Sequence, residues 1–252
     1  MCIGVGAAVP VARGELVNYT IDPAQSSLTI TGNLTGNFAS AQSAGSTTTS
    51  YGGTIVANRT AMHIEFPGGS AMNANNLASN QQPRNDGTPG SQPANYGRTA
   101  PGPFGSTTLE ALRGFSLDVF DDTSGLGIPI NGLGEFNSQS LQLEFNSGES
   151  DASFGTQFNA DIDLTGKGTA NGASMASTVT TVGSSETLTL RWSTGPISYT
   201  VAGSNDSTIA FGGTIVATSI IPEPAGLGVM GAMGLIALTR RRRMSTDCTR
   251  HP

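Results

Sequence analysis

Apolar residues return at every second position along most of this chain. In residues 61–66, Met62, Ile64 and Phe66 fall on one face and His63 and Glu65 on the other. The same alternation places Leu141, Leu143 and Phe145 together in 140–145, and Leu188, Leu190 and Trp192 together in 187–192. Shorter runs with this habit are 28–31, 53–57, 115–120, 161–164, 197–201 and 213–218. A period of two with one apolar face predicts half-buried strands in antiparallel sheets. Gly, Asn, Ser and Asp separate the runs and supply the turns. Only 108–113, Leu-Glu-Ala-Leu-Arg after its threonine, carries a helical pattern, and for a turn or two at most. The expected fold is all-β: an antiparallel β-sandwich or barrel, between which the pattern alone does not choose.

Two segments modify that picture. Tyr51-Gly-Gly-Thr-Ile-Val-Ala57 returns 160 positions later as Phe211-Gly-Gly-Thr-Ile-Val-Ala217. The echo predicts strands in equivalent places in two halves of the sheet, with the glycine pair forming a bulge or tight turn. Two copies do not make a solenoid. Residues 67–107 hold six of the 13 prolines and are dense in Asn, Gln, Gly and Ser. They read as a long irregular insertion, in which Tyr96, Arg98 and Phe104 are candidate contacts for a sugar or partner.

The strongest signal lies at the C-terminus. Pro222-Glu223-Pro224 is followed by an uncharged apolar run, 225–239, then by Arg240, Arg241, Arg242 and Arg243. As a helix the run rises roughly 22 Å, against roughly 30 Å of bilayer hydrocarbon, so it crosses as one C-terminal transmembrane helix with local thinning. The arginines stay cytoplasmic as a topological stop, leaving 15–219 outside as an all-β extracellular domain and 244–252 as a cytoplasmic tail. These three features in this order resemble the PEP-CTERM sorting signal of Gram-negative bacteria that secrete exopolysaccharide. The resemblance covers 220–243. It implies recognition of Pro222, Glu223 and Pro224 by an exosortase, a transient membrane anchor in 225–239, and delivery to the cell envelope or extracellular matrix. The apolar start, 1–14, reads as the back half of a signal peptide, a truncated remnant with cleavage near residues 12–14.

Composition narrows the body further. Of 252 residues 12% are charged and 37% hydrophobic, and the net charge is −6. An acidic chain with few charges is not a nucleic-acid binder. Cys2 and Cys248 flank the body, so its stability rests on its core. With His63 the only histidine in the body, zinc and copper sites lack ligands and Ser–His–acid chemistry lacks a framework. Carboxylates remain: Asp118, Asp121 and Asp122 near a strand end, Glu149 with Asp151, and Asp161 with Asp163. The first three form a candidate Ca²⁺ loop, because Ca²⁺ takes six to eight oxygens from such turns; no other metal or cofactor is expected. A paired-acid glycosidase is disfavoured by 6% aromatics and a single tryptophan.

The stretch Tyr19-Thr-Ile-Asp-Pro-Ala-Gln-Ser-Ser-Leu28 is similar to the opening of periplasmic isoprenoid-binding barrels, with Gln25 where that family carries histidine. It implies, as an alternative, a lipid- or carbohydrate-binding barrel or sandwich module tethered to the membrane. The main expectation is a non-enzymatic structural or adhesive protein of the envelope or biofilm matrix, with an exosortase, the membrane and exopolysaccharide as partners.

Overall fold

The computed structural model describes residues 14–34, 43–75, 96–102, 105–121, 125, 127–154, 158–172, 175–201 and 205–220. In order the strands are β1 (Glu15–Ile21), β2 (Ser27–Leu34), β3 (Ser43–Arg59), β4 (His63–Glu65), β5 (Ala71–Ala74), β6 (Tyr96–Gly102), β7 (Gly105–Asp121) and β8 (Ile128–Pro129). They continue with β9 (Glu135–Asn137), β10 (Leu141–Phe154), β11 (Phe158–Asp163), β12 (Gly168–Ala170), β13 (Ala176–Val182), β14 (Ser185–Ser193), β15 (Ile197–Val201) and β16 (Asn205–Ile220). One 3₁₀ turn, Ser138–Ser140, leads into β10. Among the described residues no helix is long and apolar enough to cross a membrane; the apolar run 225–239 lies outside them.

All sixteen strands join one antiparallel sheet whose main path is β11-β10-β7-β5-β3-β1-β16-β14-β13-β9. Its plan is a few long strands, each flanked by two short ones laid end to end. On β3, residues 43–50 pair with β2 and 54–59 with β1. On β16, residues 208–214 pair with β2, and Ala217 and Thr218 pair with β1. The β1–β2 hairpin therefore fills the space between β3 and β16, while β15 and β14 line the far edge of β16. Beyond β10 lies β12, whose neighbour Asn171 bridges Thr194 just past β14. The Gly172 N–H reinforces that contact by donating to the Ser193 carbonyl at 2.9 Å. The ends of the sheet thus meet, and the sheet is barrel-like.

Period two sets what fills it. Leu141, Leu143 and Phe145 on β10 and Leu188, Leu190 and Trp192 on β14 are all buried, as their alternation predicts. Phe115 is the aromatic hub, with ring centroids 5.7 Å from Phe145, 6.1 Å from Phe211 and 6.2 Å from Tyr51. Tilted and edge-on rings at such distances favour packing beyond simple burial. Each fully buried apolar side chain contributes about 1.5–3 kcal/mol.

The echoed segments flank the same hairpin from opposite sides. In both, the second glycine has positive φ inside a strand: Gly53 at +105° and Gly213 at +146°. Each lies near the point where its long strand exchanges β2 for β1 as a partner.

Three expectations are corrected. Residues 108–113 belong to β7, not to a helix. Six residues cannot offset the cost of helix nucleation, and β7 is hydrogen-bonded to β6 on one edge and β10 on the other. Met62 does not share the inward face of Ile64 and Phe66; it is 65% exposed. The Thr60 hydroxyl accepts the N–H groups of Met62 and His63 at 3.3 and 2.9 Å, so the turn persists through Met62 and β4 begins only at His63. Finally, 67–107 is not irregular throughout, because β5 and β6 fall within it. Strand β5 joins β3 to β7 while burying only Met72 fully. Four residues held by backbone ladders leave little periodicity to read.

Candidate functional site

The alternation that drives Leu188, Leu190 and Trp192 inward also carries Glu186 inward, and among the described residues it is the only buried charged side chain. Its carboxylate sits at the end of the barrel where β1 and β14 begin and β3, β13 and β16 finish. The Tyr19 hydroxyl on β1 donates to one carboxylate oxygen. The Thr181 hydroxyl on β13 donates to the other at 3.0 Å, and the Arg59 Nε from the last residue of β3 lies 3.5 Å from that same oxygen. Burial, then the hydrogen bond to Glu186 and its charge, push the Tyr19 phenol far above its ordinary value, and the Arg59 charge partly opposes them. Tyr19 is therefore a fixed donor. An acid removed from water in this way needs an opposite charge and filled lone pairs, and three neighbouring strands supply them. The cluster works as a pin across β1, β3, β13 and β14.

The acids of the candidate Ca²⁺ loop are occupied differently. Asp118 accepts the N–H groups of Gly69 at 2.9 Å and of Ser70 and Val119 at 2.7 Å. Asp121 accepts the Phe66 N–H at 2.7 Å. Two carboxylates thus hold the 66–70 segment through backbone donors. Asp122 lies outside the described residues. Register sets Glu149 opposite Asp163 and Asp151 opposite Asp161 on β10 and β11. Asp163 is held below the usual carboxylate range chiefly by its bonds to Thr165. Among the described residues no group of three His, Cys, Asp or Glu is arranged to hold a metal ion.

Other candidates are dispersed. His63 is exposed, and its neighbour Glu65 accepts from Asn58 Nδ2 at 3.0 Å. Tyr96 and Arg98 lie on β6, while Phe104 is outside the described residues. So are Pro222, Glu223, Pro224, Arg240, Arg241, Arg242 and Arg243. Strand β16 ends at Ile220, two positions before that motif.

An open groove of about 360 Å³ runs beside β8 and β9, with Ile130, Phe136 and Met175 among its apolar lining and Asn131 and Glu135 among its polar groups. In the interior, Trp192 Nε1 and the Tyr51 hydroxyl are buried without a hydrogen-bond partner. Burial alone raises the Tyr51 phenol far above its ordinary value.

Sequence reasoning missed Glu186, although the signal was there: it is in phase with Leu188 and Leu190. No family model, curated protein or solved structure matches this chain.

Proposed function

We propose that this chain is an exported, non-enzymatic structural or adhesive protein of the envelope or biofilm matrix of a Gram-negative bacterium, addressed by its C-terminal tail. Pro222, Glu223 and Pro224 are the recognition element for an exosortase, 225–239 the transient anchor, and Arg240–Arg243 the topological stop. The observation that carries the reading is the filled barrel: Trp192, Tyr19, Tyr51, Phe66, Phe145 and Phe211 are each less than 2% exposed or close to it. Large aromatic side chains in the interior favour a solid core over an internal lipid. The body serves as a compact block on a short lead, and its outer surface is what remains for contact.

The test is the intact mass of the mature protein from an exosortase-containing producer. A chain ending near Pro222–Pro224 supports sorting, whereas one retaining Arg240–Pro252 refutes processing.

One observation favours a second reading, a tethered carbohydrate-binding module. Thr54, Thr20, Thr218, Thr187 and Thr180 stand in one register across β3, β1, β16, β14 and β13. Four of the five are exposed and Thr187 is half-buried, so the rung presents hydroxyls without charge. Retention on a neutral polysaccharide column that falls on changing Thr20 and Thr218 to Val would favour it; unchanged retention would not.

A further inference from the structure

Among the described residues the exposed large hydrophobics are Leu16, Met62, Leu133, Val182 and Ile220, 59–80% exposed, and they gather at one end of the barrel. Leu16 is the second residue of β1, and Ile220 is the last of β16. Because β1 and β16 are antiparallel, these two termini lie side by side. Val182 ends β13 and pairs with Ser185, which pairs in turn with Ile220. Met62 sits in the turn that follows Arg59, the residue opposite Glu15. The Met62 carbonyl accepts the Ile130 N–H at 2.8 Å, which brings the β8–β9 connection to the same end. Leu133 lies in that connection, next to Gly134, whose carbonyl accepts the Val179 N–H at 2.8 Å. Five chain segments, distant in sequence, thus each place one apolar side chain on a single rim. The Glu186–Arg59–Tyr19 cluster plugs this end from within.

We propose that this rim is the body's lipid-contacting surface and rests on the interface of an uncharged, zwitterionic bilayer. Exposed apolar residues are ordinary when scattered, but a gathered set marks a docking face. The path of the chain selects the occupant. Ile220 belongs to the rim, and only 221–224 separate it from the apolar run 225–239. Four extended residues span at most about 14 Å, so a barrel whose tail is inserted holds this end, and no other, against the headgroups. The rim's charge fits the same surface. Glu15 and Glu135 are exposed there, while Arg59 is turned to Glu186, so among the described residues the rim offers no basic cluster for anionic lipid. Side chains of this kind seat in the boundary between headgroups and acyl chains.

The inference rests on the anchoring part of the proposed function, and the experiment separates the two. The full chain, with Cys2 and Cys248 changed to Ser, carries an environment-sensitive fluorophore on Leu133→Cys, Val182→Cys or, as a control on another part of β3, Thr48→Cys. Each protein is reconstituted in phosphatidylcholine vesicles, floated, and read for emission wavelength and for quenching by brominated acyl chains. The expected result is flotation of all three, with emission shifted to shorter wavelength and quenched at 133 and 182 but not at 48. Adding Leu16→Ser and Met62→Ser should reduce the shift at both rim positions while flotation persists. Flotation with rim labels as water-exposed as the control overturns the rim proposal and leaves the anchor standing. Failure to float overturns the anchor and the rim together. A shift that grows with protein concentration without vesicles assigns the rim to a second copy of the chain and also overturns the proposal.

Discussion

Val56 and Val216 each give their backbone N–H to the hydroxyl of a buried serine, Ser70 at 3.0 Å and Ser26 at 2.9 Å. The two valines hold the same position in the two copies of Gly-Gly-Thr-Ile-Val-Ala, and each serine stands immediately before a strand, β5 or β2. Where the short strand stops, the hydroxyl continues the ladder; Ser26 also returns a bond to the Val216 carbonyl at 2.9 Å. Ser26→Ala and Ser70→Ala should each destabilise the fold by about 1–3 kcal/mol, the cost of a buried polar group left without its partner. Urea unfolding checks this. A loss within error at both sites would mean that water replaces the serines.

The glycine pair of each copy divides into one replaceable and one irreplaceable member. A Cβ on Gly53 would lie 2.0 Å from the Ala71 carbonyl oxygen, and on Gly213 2.5 Å from that of Ser27. On Gly52 it would meet nothing within 4 Å, and on Gly212 only the Trp192 carbonyl at 3.8 Å. Gly53→Ala and Gly213→Ala should therefore each cost at least about 1–3 kcal/mol from backbone strain, with the clash added. Gly52→Ala and Gly212→Ala should leave the thermal midpoint nearly unchanged. Equal behaviour of the two members in melting experiments would contradict the positive-φ assignment.

The pin at Glu186 should behave as a unit. Removing Arg59 alone, as Arg59→Met, leaves a buried carboxylate without its counter-charge and should cost about 3–5 kcal/mol. Tyr19→Phe should cost about 1–3 kcal/mol through one lost donor. Replacing Glu186 by Leu in the Arg59→Met background should recover part of the loss, because the buried charge is gone although the Tyr19 hydroxyl loses its acceptor. A double-mutant cycle in urea measures this, and additive losses would show that Arg59 and Glu186 do not interact.

What the sequence discloses depends on how local each cause is. Leu141, Leu143 and Phe145 announce their strand because alternation is written in neighbouring residues. Glu186 obeys the same phase, yet its partner Tyr19 is 167 residues away. A charged side chain reads as exposed until that partner is known. Met62 fits the alternation as well as Ile64 does, and only the hydroxyl of Thr60, which prolongs the turn, excludes it from the strand. The helical look of 108–113 is local too, and it loses to ladders on both edges of β7. Barrel closure brings Asn171 and Gly172 against Ser193 and Thr194, for which a single strand's pattern holds no sign. The rim is the extreme case. Leu16, Met62, Leu133, Val182 and Ile220 are individually unremarkable in sequence, and only the topology brings them together.

Asp118 and Asp121 allow a decision between a cation loop and an acid-capped turn. Their oxygens accept four backbone N–H groups, three of them from the 66–70 segment and its approach to β5. Hydrogen bonds to a charged acceptor contribute about 1.5–3 kcal/mol each. Asp118→Ala should therefore lower stability by more than a typical surface change, in buffer with or without Ca²⁺. Chelation with EGTA should leave the thermal midpoint of the parent protein where it was. A midpoint that rises on adding Ca²⁺, and does so only while Asp118 and Asp121 are intact, would show that these carboxylates leave the backbone for the ion and would replace the capped turn with a metal site.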